Sequence, residues 1–318
     1  MDDNAAVDEP KLRTPRDLDF RDWREVVIRV WNGISADNIS LVAAGCAFYA
    51  LLAMVPALSA LVVLYGLIAD PVQVQEQVAG ASGVIPEEVR DILADELSEM
   101  AGASPTGLSW GLAFTLSLAL WYASIAVKSL ILALNIALKE EETRGLIKFN
   151  LIGLALTVLL ILGVILALVT IVGVPAVLAL LGLDEQLDFV LRLVRWPILA
   201  VFVVLGLAVL YRFAPCRARA RWRWISHGAV LATLIWLMAS VGFSIYVSNF
   251  GNFNATYGSL GAIVIVLFWL YISAFVVILG ARLNGEIEHA TALDTTTGRP
   301  RPIGQRGAYF ADHVAKKG

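Results

Sequence analysis

The sequence predicts an all-α polytopic membrane protein. Its plan is six transmembrane helices with both termini in the cytoplasm, a cytoplasmic amphipathic N-terminal helix, and a periplasmic helical hairpin or cap between spans 1 and 2. Three observations predict this plan. Hydrophobic residues make up 58% of the 318 residues and charged residues 16%, against about 45–50% and about 25% in soluble domains. Charge is absent from runs long enough to cross the hydrocarbon core, which takes about 20 apolar residues per helix. Lys and Arg are also unevenly placed: 20 of the 24 fall on one set of loops and termini and three on the other. By the positive-inside rule that places both termini inside. A net charge of −3 excludes the basic excess that a nucleic-acid binder needs, so no nucleic-acid partner is expected.

Residues 1–19 read as a disordered tail. From Phe20 to Ile34, apolar Trp23, Val26, Val27, Val30, Trp31 and Ile34 recur at three- and four-residue spacing between charges. That pattern is an amphipathic helix, expected on the inner leaflet with Arg21, Arg24 and Arg29 near lipid headgroups. The first span, about 39–69, holds no charge but contains Pro56. The segment that follows carries eight carboxylates against Arg90. Within it Pro86-Glu87-Glu88 suits a helix start, which predicts an external cap. Spans are expected at about 106–138, 149–181, 194–213, 225–248 and 257–282, and residues 291–318 as a flexible cytoplasmic tail. The uncharged run from Trp224 to Ala281 is too long for one helix, and the glycine-bearing stretch Asn249 to Asn254 divides it. Cys46 and Cys216 are too few for a disulfide scaffold.

Enzyme signatures are missing. His227, His289 and His313 have no metal-ligand spacing, and there is no glycine-rich phosphate loop, GxSxG elbow or CxxC pair. No metal or cofactor is expected, and the chain is not expected to be an enzyme.

Lys128 is the one charge away from the ends of the spans, about ten residues from Lys139. At 1.5 Å per residue it lies roughly 15 Å deep. A lysine there either faces a partner or a wet cavity, or snorkels to the headgroups. Asn135, seven residues on, shares its helical face and is expected to line the same cavity. At the end of span 6, Arg282 and Glu286 are four apart, which fits a local ion pair or two charges pointing inward to close the cytoplasmic mouth. Asn284 lies between them. Pro56 and Pro175 are candidate bends that frame a cavity. Gly258 and Gly261 are candidate close-packing or gating positions. The arginines from Arg212 to Arg223, interleaved with Trp222 and Trp224, fit contact with anionic headgroups.

Taken together, Ala47-Phe48-Tyr49-Ala50-Leu51-Leu52 with Pro56, Leu120-Trp121 with Leu134-Asn135, Tyr211-Arg212 with Pro215, Gly228-Ala229, Tyr257-Gly258-Ser259-Leu260-Gly261, Trp269-Leu270-Tyr271 and Gly280-Ala281-Arg282-Leu283-Asn284 resemble the YihY/BrkB family of bacterial inner-membrane proteins. The resemblance runs over about residues 25–290 and implies six spans in the inner membrane. The family usually has glutamate where Arg282 stands here, so a role resting on that carboxylate needs Glu286 in its place. A ribonuclease label attached to the family finds no matching residues in this sequence. Members have been linked to movement of lipid or lipopolysaccharide precursors. Two functions follow as expectations: a transporter or flippase of an anionic, lipid-like amphiphile, or a non-transporting scaffold that docks an envelope partner. Lys128, Asn135, Arg282, Asn284 and Glu286 are the expected substrate-binding residues.

Overall fold

The computed structural model describes residues 18–68, 105–168, 170, 185–249, 259–291 and 293–314. They form helices and connecting loops: α1 (Phe20–Ala36), α2 (Ile39–Ile68), α3 (Pro105–Ala137), α4 (Leu146–Leu168), α5 (Glu185–Phe213), α6 (Trp222–Asn249), α7 (Ser259–His289) and α8 (Tyr309–Asp312). Among the described residues the extended pairing is one antiparallel bridge, Ala220 with Thr296. Stretches in α2, α3, α4, α6 and α7 are long and apolar enough to cross a membrane, and α5 adds the shorter apolar run Pro197–Phe213. The five stretches and the shorter run overlap the segments expected as spans. Their outward faces are apolar, as at Leu41, Phe114, Leu151 and Val241, because lipid rather than water surrounds such helices.

α2 remains one helix through Pro56. Proline there removes one N–H donor without ending the run. Pro175, Gly258 and the external cap lie outside the described residues. Gly261 is buried.

Contacts divide the chain into two compact units. One comprises residues 43–130 and 237–274, the greater part of α2 and α3 with parts of α6 and α7. Its apolar interior includes Cys46, Ala47 and Val127, and Phe243 and Phe268 pack with ring centroids 6.0 Å apart. Lys128 belongs to this unit, half-buried, with Nζ 5.7 Å from the Trp121 ring centroid.

The other unit comprises residues 1–42, 131–236 and 275–318. α1 begins at a capping box, in which Asp19 accepts from the Asp22 amide at 2.9 Å and Asp22 returns the bond at 3.2 Å. Its buried face, Val26 and Val30, packs on Leu283 and Ile287 of α7. Asn38 takes φ +50° between α1 and α2, a left-handed turn that asparagine tolerates. α6 and α7 cross closely where Gly228 meets Gly280: a Cβ on Gly228 would strike the Gly280 carbonyl, and one on Gly280 would lie 2.7 Å from Ala232 Cβ. Glycine is required at that crossing by space.

Residues 293–314 are not the free tail expected from their polar composition. Thr297 N–H donates to the Arg219 carbonyl at 2.8 Å and Ala218 N–H to the Gly307 carbonyl at 2.9 Å. Phe310 is 1% exposed, seated against Gly285, where a Cβ would come within 2.6 Å of its ring. One buried aromatic and a set of backbone bonds hold the segment, and neither leaves a periodic trace in the sequence.

Candidate functional site

The last three turns of α7 carry Arg282, Asn284, Glu286 and Glu288 at two-residue intervals. On a helix this sets Arg282 and Glu286 on one face and Asn284 and Glu288 on the opposite face. Both faces are buried, and each meets a different set of partners.

On the first face, Arg282 Nη1 donates to Asp37 Oδ2 at 2.5 Å and to the Ala137 carbonyl at 3.1 Å. Its Nη2 lies 3.2 Å from Glu286 Oε1. Glu286 Oε2 also accepts from Arg29 Nε at 3.1 Å and lies 3.3 Å from His289 Nδ1. The side chains of Arg282 and Glu286 are 4% and 3% exposed. Gly33 makes room for the guanidinium, since a Cβ there would lie 2.6 Å from Arg282 Cζ. The Phe310 ring centroid is 5.2 Å from Cζ, a cation–π distance. Arg282, Arg29, Asp37 and Glu286, from α1, α7 and the α1–α2 turn, thus form one charge cluster, with the half-exposed Glu25 also 3.4 Å from Arg29 Nη1. Arg282 Nε is buried without a hydrogen-bond partner. Arg282 and Glu286 form the expected local pair, and each also pairs beyond α7, Arg282 with Asp37 and Glu286 with Arg29. Arg29 faces Glu286 where the sequence suggested headgroups.

On the second face, Asn284 Oδ1 accepts from the Gly228 amide at 2.7 Å. Glu288 accepts from Arg217 Nη2 at 2.7 Å and from Thr295 Oγ1. Burial pushes the Arg217 pKa down, but Glu288 outweighs it and holds it above its ordinary value. Tyr211 Oη donates to the Val277 carbonyl at 2.8 Å. Tyr211, Arg217, Asn284 and Glu288 wall a cavity of about 20 Å³, room for one water.

Asn135, near the end of α3, is 3% exposed. Its Oδ1 accepts from Cys216 N–H at 2.8 Å and its Nδ2 donates to Glu142 Oε2 at 2.9 Å. Glu142 is held below its ordinary pKa, first by its hydrogen bond from Arg144, and Arg144 Nη2 reaches on to the Ala214 carbonyl at 3.0 Å. Asn135 therefore ties the α3–α4 loop to the α5–α6 loop. The cavity it was expected to share with Lys128 is not what its amide faces. Four of the five expected binding residues, Asn135, Arg282, Asn284 and Glu286, fall in one unit, and Lys128 falls in the other. Among the described residues no three of His, Cys, Asp and Glu are grouped to hold a metal.

Sequence reasoning missed Asp37, Gly33, Arg217 and Glu288. Asp37 carried a faint signal as the last charge before the first span. Arg217 carried none, being one of five arginines between residues 212 and 223.

No solved structure matches the chain. It is 33% identical over 177 residues to a ribonuclease-like protein, YfkH, of Bacillus subtilis, covering 54% of this chain and 64% of that protein. It is 27% identical over 301 residues to the UPF0761 membrane protein RC1_0578 of Rhodospirillum centenum, covering 92% of this chain and 62% of that protein. A third relative, the UPF0761 membrane protein PSHAa0171 of Pseudoalteromonas translucida, is 25% identical over 264 residues, 81% of this chain and 84% of that protein. The chain thus spans just under two thirds of the first two. The family model described as virulence factor BrkB matches residues 30–303, from the inward-facing end of α1 through Arg282, Asn284, Glu286 and Glu288, and the chain belongs to this family of multi-pass bacterial membrane proteins.

Proposed function

We propose that the chain moves an anionic, lipid-like amphiphile across the membrane, and that the Asp37–Arg282–Glu286–Arg29 cluster is its closed cytoplasmic gate. The observation that carries this reading is the burial of Arg282 and Glu286, at 4% and 3% exposure, with partners from outside α7. Desolvating paired charges costs about as much as their attraction returns, so such clusters add little stability over apolar packing and suit elements that exchange partners. An anionic headgroup competes with Asp37 and Glu286 for the same guanidinium, which gives opening a chemical trigger. Lys128, half-buried beside Trp121, is a second cation for such a headgroup. In this reading the chain is not an enzyme.

The test is translocation of labelled anionic and zwitterionic lipids in proteoliposomes, comparing wild type, Lys128→Ala and empty vesicles. Movement that needs both the protein and Lys128 supports transport. Wild type equal to empty vesicles for every lipid tested contradicts it for those lipids.

A second reading has its own observation. Asn135 and Asn284 spend their amides on backbone N–H groups of Cys216 and Gly228, as structural staples do, and a scaffold that docks an envelope partner needs no more. A scaffold tolerates Lys128→Ala, whereas a transporter loses rate.

A further inference from the structure

Between Asp188 and Glu286 the sequence contains no acidic residue, yet the α5–α6 junction gathers Arg212, Arg217, Arg219, Arg221 and Arg223. Arg217 is neutralised by Glu288. Among the described residues Arg212, Arg219 and Arg221 have no carboxylate partner. Two of these are built into an aromatic frame. Arg212 Cζ lies 4.6 Å from the Trp222 ring centroid and 5.7 Å from that of Phe213, and Arg219 Cζ lies 5.0 Å from Phe213. The two rings meet edge to face, with centroids 6.4 Å apart. Arg212 Nη1 donates to the Ala220 carbonyl at 2.9 Å, while its Nε has no acceptor.

The position of Arg212 along α5 identifies the occupant. Ile198, Val201 and Leu205 are 54%, 59% and 56% exposed, and Arg212 follows Leu205 by two helical turns on the same stripe. That stripe is apolar for four turns within an apolar helix of a membrane protein, so it faces acyl chains. Its terminal residue then stands at headgroup depth, beside an exposed tryptophan, the residue type that favours this interface. A guanidinium held against aromatic rings still presents N–H donors to phosphate oxygens; on Arg212 the donor left is Nη2, since Nη1 is given to Ala220 and Nε is enclosed.

We infer that Arg212 and Arg219, framed by Phe213 and Trp222, bind the phosphate of an anionic lipid headgroup whose acyl chains run down the Ile198–Val201–Leu205 stripe. The site lies outside the Arg282 cluster and stands without the transport reading.

The test is native mass spectrometry of the full-length protein with phosphatidylglycerol or phosphatidylcholine added at equal concentration, with soluble glycerol phosphate as a third arm. Wild type should retain phosphatidylglycerol in preference, and millimolar glycerol phosphate should not displace it. Arg212→Gln with Arg219→Gln should lower that retention by more than tenfold, at about fivefold per arginine near an anionic surface. Arg299→Gln with Arg301→Gln removes the same charge elsewhere and should leave retention unchanged. Arg219 is exposed, so Arg219→Gln alone keeps the test open if the double variant fails to fold. Trp222→Leu, which keeps every charge, should weaken retention about threefold by loss of stacking. Equal retention of the two lipids, full retention by the arginine variants, equal losses in the control pair, or displacement by glycerol phosphate would each overturn the inference.

Discussion

Arg282 on α7 and Asp37, which closes α1, are 245 residues apart in sequence, yet Nη1 and Oδ2 meet at 2.5 Å. That contact joins the amphipathic N-terminal helix to the end of the last apolar helix and sets the cost of perturbing either one.

Truncation of Arg282 to Ala strands Asp37 and leaves Glu286 to Arg29 and His289. Breaking a buried pair on one side costs about 3–5 kcal/mol. Arg282→Ala should therefore lower the thermal midpoint in detergent far more than Arg282→Met combined with Asp37→Asn, which removes charge from both sides. Equal losses for the two would show that the pair is not coupled.

Gly228→Ala and Gly280→Ala both place a methyl group inside the α6–α7 crossing. Overpacking of this kind costs about 1–3 kcal/mol. Gly206→Ala, where a Cβ meets open space, serves as the control and should be neutral or slightly stabilising in unfolding measurements.

Phe310 lies beyond residue 303, where the family match ends. Phe310→Ala removes a fully buried ring, a loss of about 3–5 kcal/mol at such sites, here confined to the docked segment. Hydrogen exchange should show the Gly307 and Tyr309 amides losing protection while those of α7 keep it. Uniform loss across α7 would mean the ring supports the whole unit.

Two carboxylates near that segment should respond to pH with opposite signs. Burial pushes Asp312 up, but the backbone amides of Arg306, Gly307, Ala308 and Gly304 outweigh it and hold the group below its usual 3.8. Its contribution is fully present above pH 3.8 and is lost as pH falls through the lower folded value. Burial raises Glu140 above its usual 4.5, against the Tyr309 amide and Arg217. Its ionisation therefore costs stability as pH rises from 4.5 through the folded value. Glu140→Gln keeps an acceptor for Tyr309 N–H. It should match or exceed wild-type stability at neutral pH, with the difference vanishing below pH 4.5, as thermal scans across pH would show.

The helices were legible because membrane spans and amphipathic faces write themselves in local composition. α1 shows it: the spacing of Val26 and Val30 marked the face that packs on Leu283 and Ile287. The Arg282–Glu286 pair was legible for the same reason, being four residues apart. Asp37 and Arg29 were not, because a contact across some 250 residues leaves no spacing to read. Asn135 shows a subtler failure. The seven-residue step from Lys128 gives its helical face correctly, but a face does not say which partner waits there, and Cys216 N–H and Glu142 took the amide. The C-terminal segment misled because its composition is polar and its anchoring rests on one ring and on hydrogen bonds to distant residues such as Arg219 and Glu140, which leave no spacing to read.

The central claim is that the buried charge cluster is a gate, and the most direct measurement is the rate of anionic-lipid translocation in proteoliposomes carrying Asp37→Asn. The asparagine keeps the shape of the site and an acceptor for Arg282 but removes one holding charge. The account predicts translocation severalfold faster than wild type, with Lys128→Ala slower in the same preparation. A lowered thermal midpoint with translocation unchanged would contradict it and leave the cluster as a structural staple.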